Sequence, residues 1–218
     1  MLILPGMPLF YQHNIDAHGR LAIWKIEEQE SFFKETAGGQ IKIGHPYKRL
    51  QHLAGRYLLA FLQPDLPLSQ IAIGDSGKPY LPDKGFHFSI SHCGNYAAVI
   101  ISRHRQVGID IELATPRLNA IATRFLHPDE NKFLQEWREF PQLYLQLLTL
   151  IWSAKEAVFK WYGKGKVSFS QQINLRGPIV ARSAGEYEMD MVFRKDGEQH
   201  LQVHARIFEP LVMAWLAH

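Results

Sequence analysis

The segment from about Gln142 to Tyr162 constrains this chain more than any other, because it reads as one long helix with far too much apolar surface to stand in water. At roughly 100° per residue, Leu147, Leu148, Ile151, Trp152, Val158, Phe159 and Tyr162 gather on one side, the side that must meet a core. Lys155 falls in the middle of that face, Glu156 sits at its edge beside Trp152, and Lys160 lies one turn beyond Glu156. Two readings are open. Lys155 snorkels past its apolar neighbours while Glu156 and Lys160 form an ordinary surface pair worth about 0.2 to 0.5 kcal/mol; or these charges belong to a site. Gly163 marks the end of the helix.

Around this helix the chain reads as alternating helical and extended material. A strand is expected over Arg20–Ile26, a polar helix over 27–36, and a helix in HPYKRLQHLAGRYLLAFL, where Leu50, Leu53, Ala54, Tyr57, Leu58 and Phe61 recur at helical spacing until the prolines of QPDLP. FHFSIS, YAAVIIS and VGIDIE then follow at hairpin spacing and are expected to form an antiparallel meander. Helical material over 121–137 and the long helix precede strands near 168–175, 187–193, 201–208 and 213–216. Helices followed by strands, twice over, predict an α+β fold of two similar halves, each a small antiparallel sheet packed on helices. The halves are expected at 1–105 and 106–218, with the active site between them.

Composition narrows the function classes. The 218 residues are 46% hydrophobic, 12% aromatic and 21% charged, as in a globular protein. A net charge of +3 does not point to nucleic acid. The single cysteine, Cys93, excludes an internal disulfide and a cysteine-rich zinc site and fits a reducing cytoplasm. MLILPGMPLF is a poor export signal, and no stretch is long and apolar enough to suggest a membrane span.

Four short stretches carry possible chemistry. In VGIDIE the strand period puts Val107, Ile109 and Ile111 on one face and Gly108, Asp110 and Glu112 on the other, with the two acids roughly 7 Å apart at the Cα. On a solvated face two acids are unremarkable; facing a pocket they demand a cation, and oxygen ligands near phosphate suit Mg²⁺. Gly108 would then leave room for a ligand to approach the backbone. In FSISHC, Ser91 and His92 point to opposite faces and so are not a nucleophile and base; His92 is either a loop histidine or a donor to an anion. GKPY is a turn with a lysine, Lys78, and lacks the spacing of a Walker loop. The fourth stretch is the helix, WSAKEAVFK. HPDE is not a zinc-protease motif, and the 11 histidines fit no metal pattern.

Taken in order, GKP at 77–79, FSISHC at 88–93, VGIDIE at 107–112 and WSAKEAVFK at 152–160 resemble the signatures of the Sfp-type 4′-phosphopantetheinyl transferases. The resemblance implies a pseudodimer of two α+β halves with coenzyme A between them, acting as a cytoplasmic monomer without nucleic acid or membrane partners. It implies Asp110, Glu112 and Glu156 as Mg²⁺ ligands, and Lys78, Ser91 and His92 as contacts to the phosphates of coenzyme A, with Asp110 also counted in the coenzyme site. It further implies Lys160 at the pyrophosphate with Lys155 supporting it, Glu156 and Lys160 as the catalytic pair, and Glu130 as the reserve base. The reaction would move the phosphopantetheine arm of coenzyme A to a serine of an apo acyl or peptidyl carrier protein. For the 3′-phosphate, Lys42, Lys48, Arg49 and Arg56 all compete. Leu118, Ile121 and Phe125 are either a carrier-docking patch or core. The other readings are a different Mg²⁺-dependent phosphotransferase or hydrolase, and a module that binds coenzyme A without turnover.

Overall fold

The computed structural model describes residues 8–37, 43–83 and 85–218. It divides into two compact units, the first running to Val107 and taking in Ala217, the second covering the remainder from Gly108. The chain is α+β.

In the first unit β1 (Leu9–Asn14) and β2 (Gly19–Lys25) form a hairpin that precedes α1 (Glu30–Ala37) and α2 (Pro46–Leu62). The short pair β3 (Ala72–Ile73) and β4 (Pro79–Tyr80) follows, then β5 (His87–Cys93) and β6 (Tyr96–Ser102). The sheet order is β1-β2-β6-β5, every neighbour antiparallel. Pro46 starts α2 with its φ already set for a helix. Leu53, Ala54, Leu58, Leu59 and Leu62 of α2 pack with Trp24, Phe88 and Val99 in this unit's core.

In the second unit β7 (Val107–Leu113) is followed by a 3₁₀ turn, Pro116–Ile121, then α3 (Ala122–Phe125), α4 (Pro128–Gln135) and α5 (Pro141–Tyr162). After α6 (Phe169–Gln172) come β8 (Ile173–Leu175), β9 (Val180–Ser183), β10 (Glu186–Lys195), β11 (Gly197–Ile207) and β12 (Leu211–Ala217). The sheet order is β7-β12-β11-β10-β8, with β9 on β10. Leu148, Ile151, Ala154 and Val158 of α5 share a core with Met189, Phe193, Val203 and Ala214.

The two units follow one rule of connection. In each, an early strand leads through helices into a later antiparallel hairpin, whose last strand returns beside the early one: β2 beside β6, and β7 beside β12.

Two expectations are corrected. VGIDIE does not continue the meander, because β6 already has β2 on its second edge, in register from Gly19↔Ser102 to Lys25↔Tyr96, and β7 joins the other sheet. The helix expected over 121–137 is broken at Leu126 and His127. There Pro128 opens a new helix, the His127 side chain accepts from the Asp129 N–H, and Glu130 accepts from the His127 N–H at 2.7 Å, a reciprocal cap. The strands β1 and β9 had no counterpart in the sequence reading.

Candidate functional site

The site of the second unit is built where α5 crosses β7. Gly108 makes that crossing possible, since a Cβ placed there would lie 2.0 Å from the Ala157 carbonyl oxygen and 2.7 Å from the Trp161 nitrogen. Its role is therefore helix-on-strand approach, and the space expected for a ligand is filled by α5 backbone. Val107, Ile109 and Ile111 are buried on the other face, so β7 is covered on both sides and the solvated-face reading fails for Asp110, while Glu112 is only partly buried and accepts from the Leu113 N–H at 3.0 Å. Asp110 is 5% exposed.

This crossing brings a helix carboxylate and an ammonium to the strand acids. The Lys160 ammonium donates to Asp110 Oδ1 at 2.7 Å. Burial pushes the Glu156 carboxyl up to about 7; the negative charges of Asp110 and Glu112 add to the rise and Lys160 opposes it. The charges of Asp110 and Glu112 thus repel that of Glu156, and the Lys160 ammonium offsets part of the repulsion. Among the described residues no three His, Cys, Asp or Glu side chains converge into a ready metal cluster. The donor set still suits a hard divalent cation: all oxygen, more acid than base, with a partly buried carboxyl whose proton is loosely held near neutrality.

Lys155 belongs elsewhere. It is fully buried at 0% exposure, and its ammonium donates to the Phe125 carbonyl at 2.8 Å and the Phe169 carbonyl at 3.1 Å and pairs with Glu130 Oε2 at 2.6 Å. An ammonium has three protons, and three acceptors surround this one. The phosphate contact expected of Lys155 is corrected accordingly. Glu130, 3% exposed, also accepts from the Leu175 N–H at 2.8 Å, and this engagement removes it as the reserve base. Burial lowers the Lys155 pKa, and Glu130 counteracts that fall. Leu118 and Phe125 are core residues, with Ile121 only partly buried, so the proposed apolar patch reduces to its rim.

The first unit carries a cationic counterpart. His92 shares a strand face with Phe88 and Ile90, the face on which α2 packs, and its ring centroid lies 5.0 Å from that of His52. Lys48, His52 and Arg56 follow one another at i,i+4 spacing on α2. Burial, then Arg56 and Lys48, lowers the His52 pKa, and burial lowers that of Arg56. Arg49 is committed to Glu30 at 2.9 Å and to the Ile43 carbonyl at 2.8 Å. Lys42 lies outside the described residues. The structure thus groups Lys48 and Arg56 with His52, a residue the sequence reading passed over although its spacing was visible. Ser91 is buried on the opposite face of β5. Lys78 lies in the turn before β4, where burial pushes its ammonium pKa down to about 8.

Residues 106–211 match the family model of the 4′-phosphopantetheinyl transferase superfamily, so the resemblance carried by the motifs extends over nearly all of the second unit. The chain is 36% identical over 134 residues to enterobactin synthase component D of Salmonella typhi, which covers 60% of this chain and 52% of that protein. It is 34% identical over 119 residues to the 4′-phosphopantetheinyl transferase AcpT of Escherichia coli strain K12, covering 53% of this chain and 59% of that protein. The chain spans just over half the length of these curated relatives.

Proposed function

We propose that this protein transfers the 4′-phosphopantetheine arm of coenzyme A to a serine of an apo acyl or peptidyl carrier protein, releasing 3′,5′-ADP. The observation that carries this reading is the Lys160–Asp110 ion pair at the α5–β7 crossing, with Glu156 near enough to Asp110 and Glu112 for their charges to raise its carboxyl, inside the segment matched by the superfamily.

Asp110, Glu112 and Glu156 would hold Mg²⁺, which supplies charge stabilisation to the pyrophosphate when bound. Glu156 takes the proton from the attacking serine hydroxyl, directly or through water. The serine Oγ forms its bond to the β-phosphorus as the bond to the 3′,5′-ADP oxygen breaks. Lys160, already held by Asp110, offers positive charge to the departing phosphate. In the first unit Lys78, Ser91 and His92 are assigned to the coenzyme phosphates, and Lys48, His52 and Arg56 join them as the supply of cations that the sequence left undivided. Among the described residues no helix is long and apolar enough to cross a membrane. A cytoplasmic monomer is proposed with the activity.

The test is direct. With coenzyme A, Mg²⁺ and apo carrier protein, mass spectrometry should show the carrier gaining one phosphopantetheine arm. Hydrolysis of coenzyme A without carrier, or no gain across several carrier types, would overturn the reading.

A further inference from the structure

We propose that Lys155 and Glu130 are positioning residues that set the placement of Glu156. The inference rests on the transferase reading for what Glu156 does. Glu156 is flanked in sequence by two constraints on α5. On one side Ala157 lies against Gly108 of β7, where backbone meets backbone and nothing can slide closer. On the other, Lys155 reaches away from that strand to the Phe125 and Phe169 carbonyls and to Glu130. Rotation of α5 about its axis moves Glu156 toward or away from Asp110, and the two constraints oppose that rotation within a single turn of helix.

The pair ties together more than two residues. Glu130 accepts from the N–H groups of His127 and Leu175, so α4 and β8 are fixed to α5 through one carboxylate. Phe125, Trp152 and Phe169 line one cleft of about 380 Å³. The Trp152 ring lies 4.8 Å from that of Phe125 and 5.7 Å from that of Phe169. Trp152 precedes Glu156 by one helical turn and therefore reports on the same ridge of α5. Apolar side chains of the same volume would fill this interior at least as stably as a buried ion pair. What they would lack is direction, since only an ammonium and a carboxylate fix four backbone groups at set distances.

The experiment uses the full chain labelled with fluorotryptophan, with the Trp152 resonance assigned through Trp152→Phe. Lys155→Met and the double variant Lys155→Met with Glu130→Gln are compared with Met189→Ala, a core substitution that removes no charge; the double variant leaves no lone buried charge and guards against loss of folding. Both clamp variants should lose about 100-fold in turnover per folded molecule. Their KM for coenzyme A should change by less than about threefold, and the Trp152 resonance should move while that of Trp24 stays. Met189→Ala should lower the melting temperature and leave turnover unchanged. Three results overturn the inference: unchanged turnover in folded clamp variants, a tenfold rise in KM at unchanged turnover, or an unmoved Trp152 resonance. If the wild type transfers nothing to any carrier, the transferase reading fails by itself, and the clamp is judged on Trp152 alone.

Discussion

The two units bring their long helices onto a sheet in the same way and then place opposite charge beside the contact. In the first, the glycine is on the helix: a Cβ at Gly55 would come within 2.8 Å of Ile90 Cγ2, the side chain of a strand residue. In the second, the glycine is on the strand, and a Cβ at Gly108 would strike helix backbone at 2.0 Å. Near the first contact sit Lys48, His52, Arg56 and His92; near the second sit Asp110, Glu112 and Glu156, with Lys160 paired to Asp110. One scaffold thus offers a surface suited to an anion and another suited to a cation.

The largest break in the comparison should come from the acidic member. Glu156→Gln keeps size and hydrogen bonding but removes a proton acceptor and a charge, and should reduce transfer about 10³-fold while circular dichroism shows an intact fold. Asp110→Ala should fall as far, and should also free Lys160 from its partner. Coenzyme A binding that survives Asp110→Ala beside unchanged turnover would mean that no metal is needed.

Next in size is Gly108→Ala. The atoms it would strike are backbone, so α5 must lift from β7, at a cost of about 3 kcal/mol in urea denaturation. Lys48→Ala and Arg56→Ala should each raise the KM for coenzyme A about tenfold and leave the maximal rate alone, as expected where a charge binds ground state and transition state equally. The same change applied to Arg49, whose guanidinium is held by Glu30, should act on stability instead.

Much of this contrast was legible in the sequence. The period of VGIDIE put Asp110 and Glu112 on one face, and helical spacing put Glu156 beside Lys160, because strand and helix periods are local properties. The placement of Lys155 on the apolar face was also right, yet its destination was not visible: Phe125, Glu130 and Phe169 are brought to it only by tertiary packing. Gly108 was noticed for the wrong neighbour. A missing side chain tells that something approaches, and only the fold tells that it is α5. The false meander had the same origin, since hairpin spacing does not say whether an edge is already taken.

Lys78 gives a smaller effect with a definite sign. Burial holds its ammonium pKa near 8, below the ordinary 10.5, so between those pH values the unfolded chain binds more protons and stability rises with pH. Phosphate binding asks for the opposite state. The KM for coenzyme A should therefore climb as pH passes through 8, and the climb should flatten in Lys78→Gln; a wild-type profile that stays level from pH 7 to about 9.5 would remove Lys78 from the phosphate contacts.

The smallest expected effect is also the sharpest test of the glycine contrast. In Gly55→Ala the new methyl meets Ile90 Cγ2, a branch on Cβ that moves only with χ1, which β-branching holds stiff. Against that crowding stands the gain of about 1 kcal/mol from replacing glycine by alanine inside a helix. The clash is with one methyl and not with backbone, so it costs less than at Gly108 and the helical gain offsets part of it; urea denaturation should find Gly55→Ala destabilised by about 1 kcal/mol. A loss as large as that of Gly108→Ala would mean that the α2 contact is as rigid as the α5 contact, and the two units would then differ in charge alone.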